Sequence, residues 1–136
     1  MRLFGRRSVR NINSWMHNVG DLVKGDAGSP ALYMHPDDAS ARDIEDGQLV
    51  SVAGKHRAVN CQFRLTPDVV PGSDCYPHGW GHGGASNWSV AKQTRGVNIN
   101  DIISSDVEDL DPLTGSPLFD GFPVTISAVS GNTARA

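Results

Sequence analysis

Cys75, His78 and His82 raise the first question of chemistry in this chain. They stand in SDCYPHGWGHGG as Cys-x2-His-x3-His, a spacing that suggests zinc. His78 and His82 are four apart, which on a helix would place both on one face. Gly79, Gly81, Gly83 and Gly84 surround them, however, and Pro77 precedes them. Glycine costs roughly 1 kcal/mol per residue in a helix interior, so the stretch is predicted as a loop. On a loop the two imidazoles need not converge. A further ligand, His17 or His35, is remote in sequence. Zinc is therefore not the expected occupant.

A large anionic ligand fits the residues better. Arg7 and Arg10 can grip oxyanions with their guanidinium forks. A glycine-rich loop lets backbone N–H groups approach an anion closely. Trp80 can stack on a flat heterocycle. Asn98, Asn100 and Asp101, in GVNINDI, offer the donor and acceptor pairs that read a heterocyclic edge. Nucleophilic catalysis has less support: Ser, Cys, His and Asp are present, but no G-x-S-x-G elbow occurs.

The elements that must hold these residues are short. ALYMH (31–35) reads as a buried strand, and HPDDASARD as a brief helix with Pro36 at its first position. Asp37 and Asp38 suit the positive end of that helix. QLVSVAG (48–54) and AVNCQFRLT (58–66) alternate as strands do. In the second, Val59, Cys61, Phe63 and Leu65 share one side. SDCYP adds a strand before the glycine loop, and FPVTISAV (122–129) closes the series. Five or six short strands, one or two short helices and long loops predict a mainly β fold, a small barrel. Residues 1–129 form the expected domain and 130–136 a flexible C-terminal tail.

Bulk properties narrow the function. A chain of 136 residues makes about one domain. The net charge of −3 argues against a general nucleic-acid or membrane-surface binder. Arg2, Arg6, Arg7 and Arg10 nevertheless crowd the start, which points to a local anion site. No apolar run approaches the roughly 18 residues of a membrane span. The twin arginine of GRRSVR has no apolar run after it, so it is not read as an export signal. Two cysteines, Cys61 and Cys75, suit a cytoplasmic protein with reduced thiols.

Five runs, in order, carry a resemblance: GRRSVRNINSWMHN, MHPDDASARDIEDGQLVSV, PHGWGH, GVNINDI and DPLTGSPLFDGFPVTI. Together they resemble the C-terminal domain of molybdopterin-dependent oxidoreductases. This is the dimethyl-sulfoxide-reductase superfamily, with its formate dehydrogenases and nitrate reductases. The resemblance implies a double-psi β-barrel of the aspartate-decarboxylase type. It implies a domain that closes over bis-molybdopterin guanine dinucleotide, with molybdenum or tungsten ligated by other domains. By position, Arg7, Arg10, Asn13, Ser14, Trp15, His17 and Asn18 are expected to line the pterin and pyrophosphate. His78, Gly79 and Trp80 are expected against the dinucleotide. Asn100 is expected to bond a pterin or guanine edge, with Asn98 and Asp101 beside it.

Family members carry a long preceding region that supplies the molybdenum ligand and iron–sulfur cysteines, and neither is present here. The expectation is an excised domain or a separate subunit of a split enzyme. Its partners would be the remaining domains or large subunit, and it would not turn over substrate alone. An apolar docking face is then expected, and with it self-association. The other reading is a freestanding double-psi barrel, acting as a small enzyme or as a metal or interaction module. A self-processing enzyme of that fold needs a Gly-Ser site, and GS occurs three times.

Overall fold

Seven strands and one α-helix are recognised in the computed structural model, which describes residues 1–83 and 87–129. Gly84 and the expected tail 130–136 lie outside the described residues. The strands are β1 (Arg2–Arg6), β2 (Ala31–Met34), β3 (Leu49–Ala53), β4 (Ala58–Leu65), β5 (Ser73–Pro77), β6 (Phe122–Pro123) and β7 (Thr125–Ala128). They form one sheet in the order β6-β1-β5-β2-β4-β3-β7. Its two edges, β6 and β7, are halves of a single segment broken at Val124. That segment pairs with β1 at one end and β3 at the other, so the sheet curls back on itself. The Met1 and Val124 main chains exchange hydrogen bonds of 3.1 Å in both directions across the seam. Two parallel pairs, β1/β5 and β2/β4, meet at the antiparallel β2/β5 contact. This is the mainly β, double-psi-type barrel that the sequence predicts.

The core follows from alternation where a strand has one buried face. Val50 and Val52 of β3 point inward, as do Cys61 and Phe63 of β4. Leu65, placed on the same side of β4 by its spacing, is exposed at the strand end. β2 is central, and Ala31, Leu32 and Met34 are all buried. The helix α1 (Pro36–Ser40) starts as expected, with Pro36 in the first turn and His35 Nδ1 accepting from Asp37 N at 3.2 Å. It is followed by a turn at Asp43, whose φ of 53° is left-handed. Among the described residues no helix is long and apolar enough to cross a membrane.

One strand is absent from the sequence reading. RLFGR has a single buried side chain, Leu3, between exposed arginines, so it shows no useful period. It is a strand because β5 and β6 flank it, partners more than sixty residues away.

Candidate functional site

Parallel pairing of β1 with β5 creates the site. Arg6 is opposite Pro77, so the chain leaves both strands at the same rim. The first loop (7–18) and the glycine loop (78–83) therefore start side by side. His78 N donates to Arg6 O at 2.8 Å and extends the ladder by one step. Asn11, buried, then donates from Nδ2 to His78 O at 3.0 Å and ties the loops together. The third loop joins through Tyr76, whose hydroxyl accepts from Val97 N at 2.9 Å.

Glycine is required where these loops touch. Gly79 has φ of 90°, and a Cβ there would stand 3.0 Å from Ser14 N. Gly81 has φ of 99°, and its Cβ would stand 2.4 Å from Asn98 N. A side chain at Gly81 would push the third loop away, so this glycine permits contact between backbones. The first loop meets Gly79 with its own strained pair. Asn13 (φ 50°) and Ser14 (φ 86°) are both left-handed.

The rings of this face form a continuous ladder. His17 is 1% exposed and stacks on Trp80, with centroids 3.8 Å apart and planes 21° apart. His17 Nδ1 lies 2.9 Å from His82 Nε2, a hydrogen bond between two imidazoles. His82 in turn neighbours Trp88, and Trp88 neighbours Trp15. Burial, then the neighbouring His82, lowers the His17 pKa to about 4. Burial also lowers that of His82, while the Gly79 carbonyl favours the charged form of both rings. Neither ring carries a charge at neutral pH.

A cavity of about 170 Å³ adjoins the ladder. Arg6, Arg10, Ser8, Ser29, His17 and Trp80 are among its walls, and among the described residues no carboxylate is. Among the described residues, His17 Nε2 and Trp80 Nε1 are buried without a hydrogen-bond partner. Buried polar groups in folded proteins are nearly always paired, so two orphans beside one cavity are unusual. A larger cavity, about 580 Å³, runs between Ala53–Lys55, Ser104, Glu108–Asp109 and Phe122–Thr125. Its polar groups already satisfy one another. Lys55 Nζ lies 2.8 Å from Asp106, 3.0 Å from Glu108 and 2.7 Å from Asp109. These contacts hold Asp106 and Asp109 below their usual range, and Glu108 is lowered first by its own backbone amide and then by Lys55. Size alone does not make it the site.

The predicted residues lie on the three loops with different degrees of freedom, and Asn100 and Asp101 line a separate cavity with His56 and Arg57. Arg7 and Arg10 are exposed, and Arg7 Nη1 bonds Asn13 Oδ1. Trp15 is 73% exposed, whereas Trp80 is 8% exposed with one face already covered by His17. Asn18 commits Oδ1 to Val90 N (3.0 Å) and Ala91 N (3.1 Å). Asn98 bonds Asp101 and Asn100 N, which shapes the third loop. Asn100 and Asp101 are exposed. Among the described residues, the cluster of three potential metal ligands is Asp106, Glu108 and Asp109, and Cys75, His78 and His82 do not form one. Burial pushes the Cys61 thiol up to about 12 and also raises Cys75, so neither is a ready thiolate. His82, Asn11 and Arg6 belong to the site and were not among the residues expected to bind. The four-residue spacing of His78 and His82 drew attention to the right loop, but pairing with His17 is visible only in three dimensions.

Residues 1–123 match the family described as the molydopterin dinucleotide binding domain. The chain belongs to that family. Over 121 residues the domain is 31% identical to the molybdopterin-containing subunit of the arsenate respiratory reductase of Chrysiogenes arsenatis. That match covers 85% of the chain and 14% of the relative. Over 62 residues it is 36% identical to the respiratory nitrate reductase subunit alpha of Haloferax mediterranei, covering 46% of the chain and 6% of the relative. The fold matches acetylene hydratase from Pelobacter acetylenicus with a TM-score of 0.76 and 23% identity, over 93% of the chain and 18% of that structure. The domain thus spans a small part of the proteins it resembles.

The residues present fit a dinucleotide with its phosphates. The cavity, which no carboxylate among the described residues lines, its two arginines and the buried nitrogens suit an anionic, acceptor-rich ligand. Exposed Trp15 and Asn100 suit its flat heterocycles.

Proposed function

We propose that the three-loop face cradles the molybdopterin guanine dinucleotide as one wall of a larger molybdenum or tungsten oxidoreductase. The observation that carries this reading is the meeting of three loops, two of which border a donor-lined cavity that no carboxylate among the described residues lines. In this reading Arg7 and Arg10 neutralise the phosphates. Asn13 and Ser14 present left-handed backbone to the ligand. Trp15 stacks on a heterocycle, and Asn100 with Asp101 reads its edge. His78, Gly79 and Trp80 form the second wall, with His17 behind. Asn18 and Asn98 act mainly by fixing the loops. The bound cofactor supplies redox chemistry at its metal, and the domain supplies orientation, charge and exclusion of water.

The partners in this reading are the remaining domains or subunit of the oxidoreductase, which hold the metal ligand. The domain alone does not turn over substrate. The free thiols of Cys61 and Cys75 support a reducing compartment, the cytoplasm.

The reading is tested by titrating the chain with GDP and following backbone amide shifts. Shifts should cluster at 7–18, 78–81 and 98–101. Arg10→Ala should weaken GDP about tenfold, the loss of one charged contact. Shifts confined to the acidic loop at 104–111, or none at all, would overturn it.

A further inference from the structure

We propose that His17 and His82 form a proton-linked clasp that positions the first loop and the glycine loop around an oxyanion in the adjoining cavity. The inference rests on the cradle reading and adds to it a residue, His82, and a proton.

The geometry defines what the clasp can do. A hydrogen bond between two imidazoles needs one N–H and one bare nitrogen. At 2.9 Å the His17–His82 bond therefore survives in a neutral pair and in a pair with one added proton. With that proton on His17, Nδ1–H stays on His82, and Nε2–H becomes a charged donor in the cavity wall. A second added proton would set two N–H groups against each other and separate the loops. The clasp is the side-chain link between first and glycine loops that can respond to pH. The Asn11–His78 link beside it involves an amide and a carbonyl, which do not titrate.

The surroundings decide when the first added proton arrives. The charged groups lining the cavity with His17 are Arg6 and Arg10, and no carboxylate among the described residues lines it. Facing His17 are Trp80 and His82, and Trp88 flanks His82. Among the described residues, the Gly79 carbonyl is the group that favours the charge on both rings. An imidazolium here lacks an anionic partner, so the pair stays neutral. An oxyanion in the cavity supplies that partner. Binding then draws a proton onto His17, and by reciprocity acid tightens the oxyanion.

Inorganic sulfate is the probe, because its charge is constant over the range of the test. Histidine ring 15N spectra of the chain are recorded from about pH 8 to about pH 4 with and without sulfate. Without sulfate, His17 should stay neutral at pH 6.5, the midpoint of an ordinary histidine, and His82 should titrate below that midpoint. With sulfate, the His17 midpoint should rise by about one unit, and sulfate affinity should rise about tenfold on acidification. His82→Phe keeps a ring in the ladder and removes the acceptor, so it should abolish the sulfate-dependent shift of His17. Should that variant unfold, the two wild-type titrations decide alone. Sulfate shifts at Arg6 and Arg10 with both histidine midpoints unmoved would sink the clasp and leave the cradle standing. A sulfate-insensitive loop face would also sink the clasp, and the GDP titration would then judge the cradle separately.

Discussion

The loop face around His17 and the acidic loop around Lys55 treat their polar groups in opposite ways. In the acidic loop every charge is answered within the chain. Lys55 meets three carboxylates, His56 Nε2 lies 2.6 Å from Asp106, and Ser104 Oγ donates to Asp109 at 2.6 Å. Around His17 the pattern reverses: among the described residues no carboxylate lines the cavity with the arginines, and two buried nitrogens have no partner. A self-satisfied cluster holds a loop, whereas an unsatisfied one is prepared for something that is not part of the chain. The strongest acidic cluster is therefore not read as the binding site, although its carboxylate oxygens converge.

Asp74 is the case that sharpens this contrast. It is fully buried in the barrel and both its oxygens lack partners, yet it lies in a strand of the core. It lines none of the cavities described above, and burial raises its pKa to about 7, so a retained proton can remove the charge. Asp38 adds to the rise, while the Met1 amino group and Arg42 oppose it. The folded pKa lies above the ordinary 3.8, so this contribution to stability is complete below about 3.8 and is lost as pH rises to about 7. The largest predicted effect follows. The stability difference between wild type and Asp74→Asn should change by about 4 kcal/mol across that window. Urea unfolding at several pH values checks it, and a flat difference would place a partner beside Asp74.

Next in size is the contact that joins the loops. Gly81→Ala should cost about 3 kcal/mol, from left-handed strain plus the clash at Asn98 N. Amide shifts should concentrate at 97–101. Gly83→Ala, with nothing within 4 Å of its Cβ position, should be close to neutral. Equal costs at both positions would break the account of the loop junction. The smallest effect is expected in the self-satisfied region. Lys55→Met should lower the unfolding midpoint slightly, and the loss should shrink as salt rises. GDP affinity should not change. A large loss of GDP binding in Lys55→Met would reverse the comparison between the two regions.

The sequence by itself determined the strands whose one face is buried. Cys61 and Phe63 alternate with polar neighbours, and Val50 with Val52 does the same, so period two shows them directly. It also determined the α1 start, through Pro36 and the acids after it, and the loop nature of the glycine stretch. The residues named for the cradle were legible as chemistry-bearing types on three loops. Their division of labour was not. Asn18 looks like a ligand-reading amide but caps Val90 and Ala91, and Trp80 looks like an open stacking surface but is covered by His17. Only the tertiary structure decided that β1 is a strand, since its partners are distant and its own pattern is weak. Only the tertiary structure paired His17 with His82, sixty-five residues apart. The physical reason is common to both. Periodicity and turn chemistry are local and can be read along the chain, whereas barrel closure and loop convergence depend on which strands lie side by side.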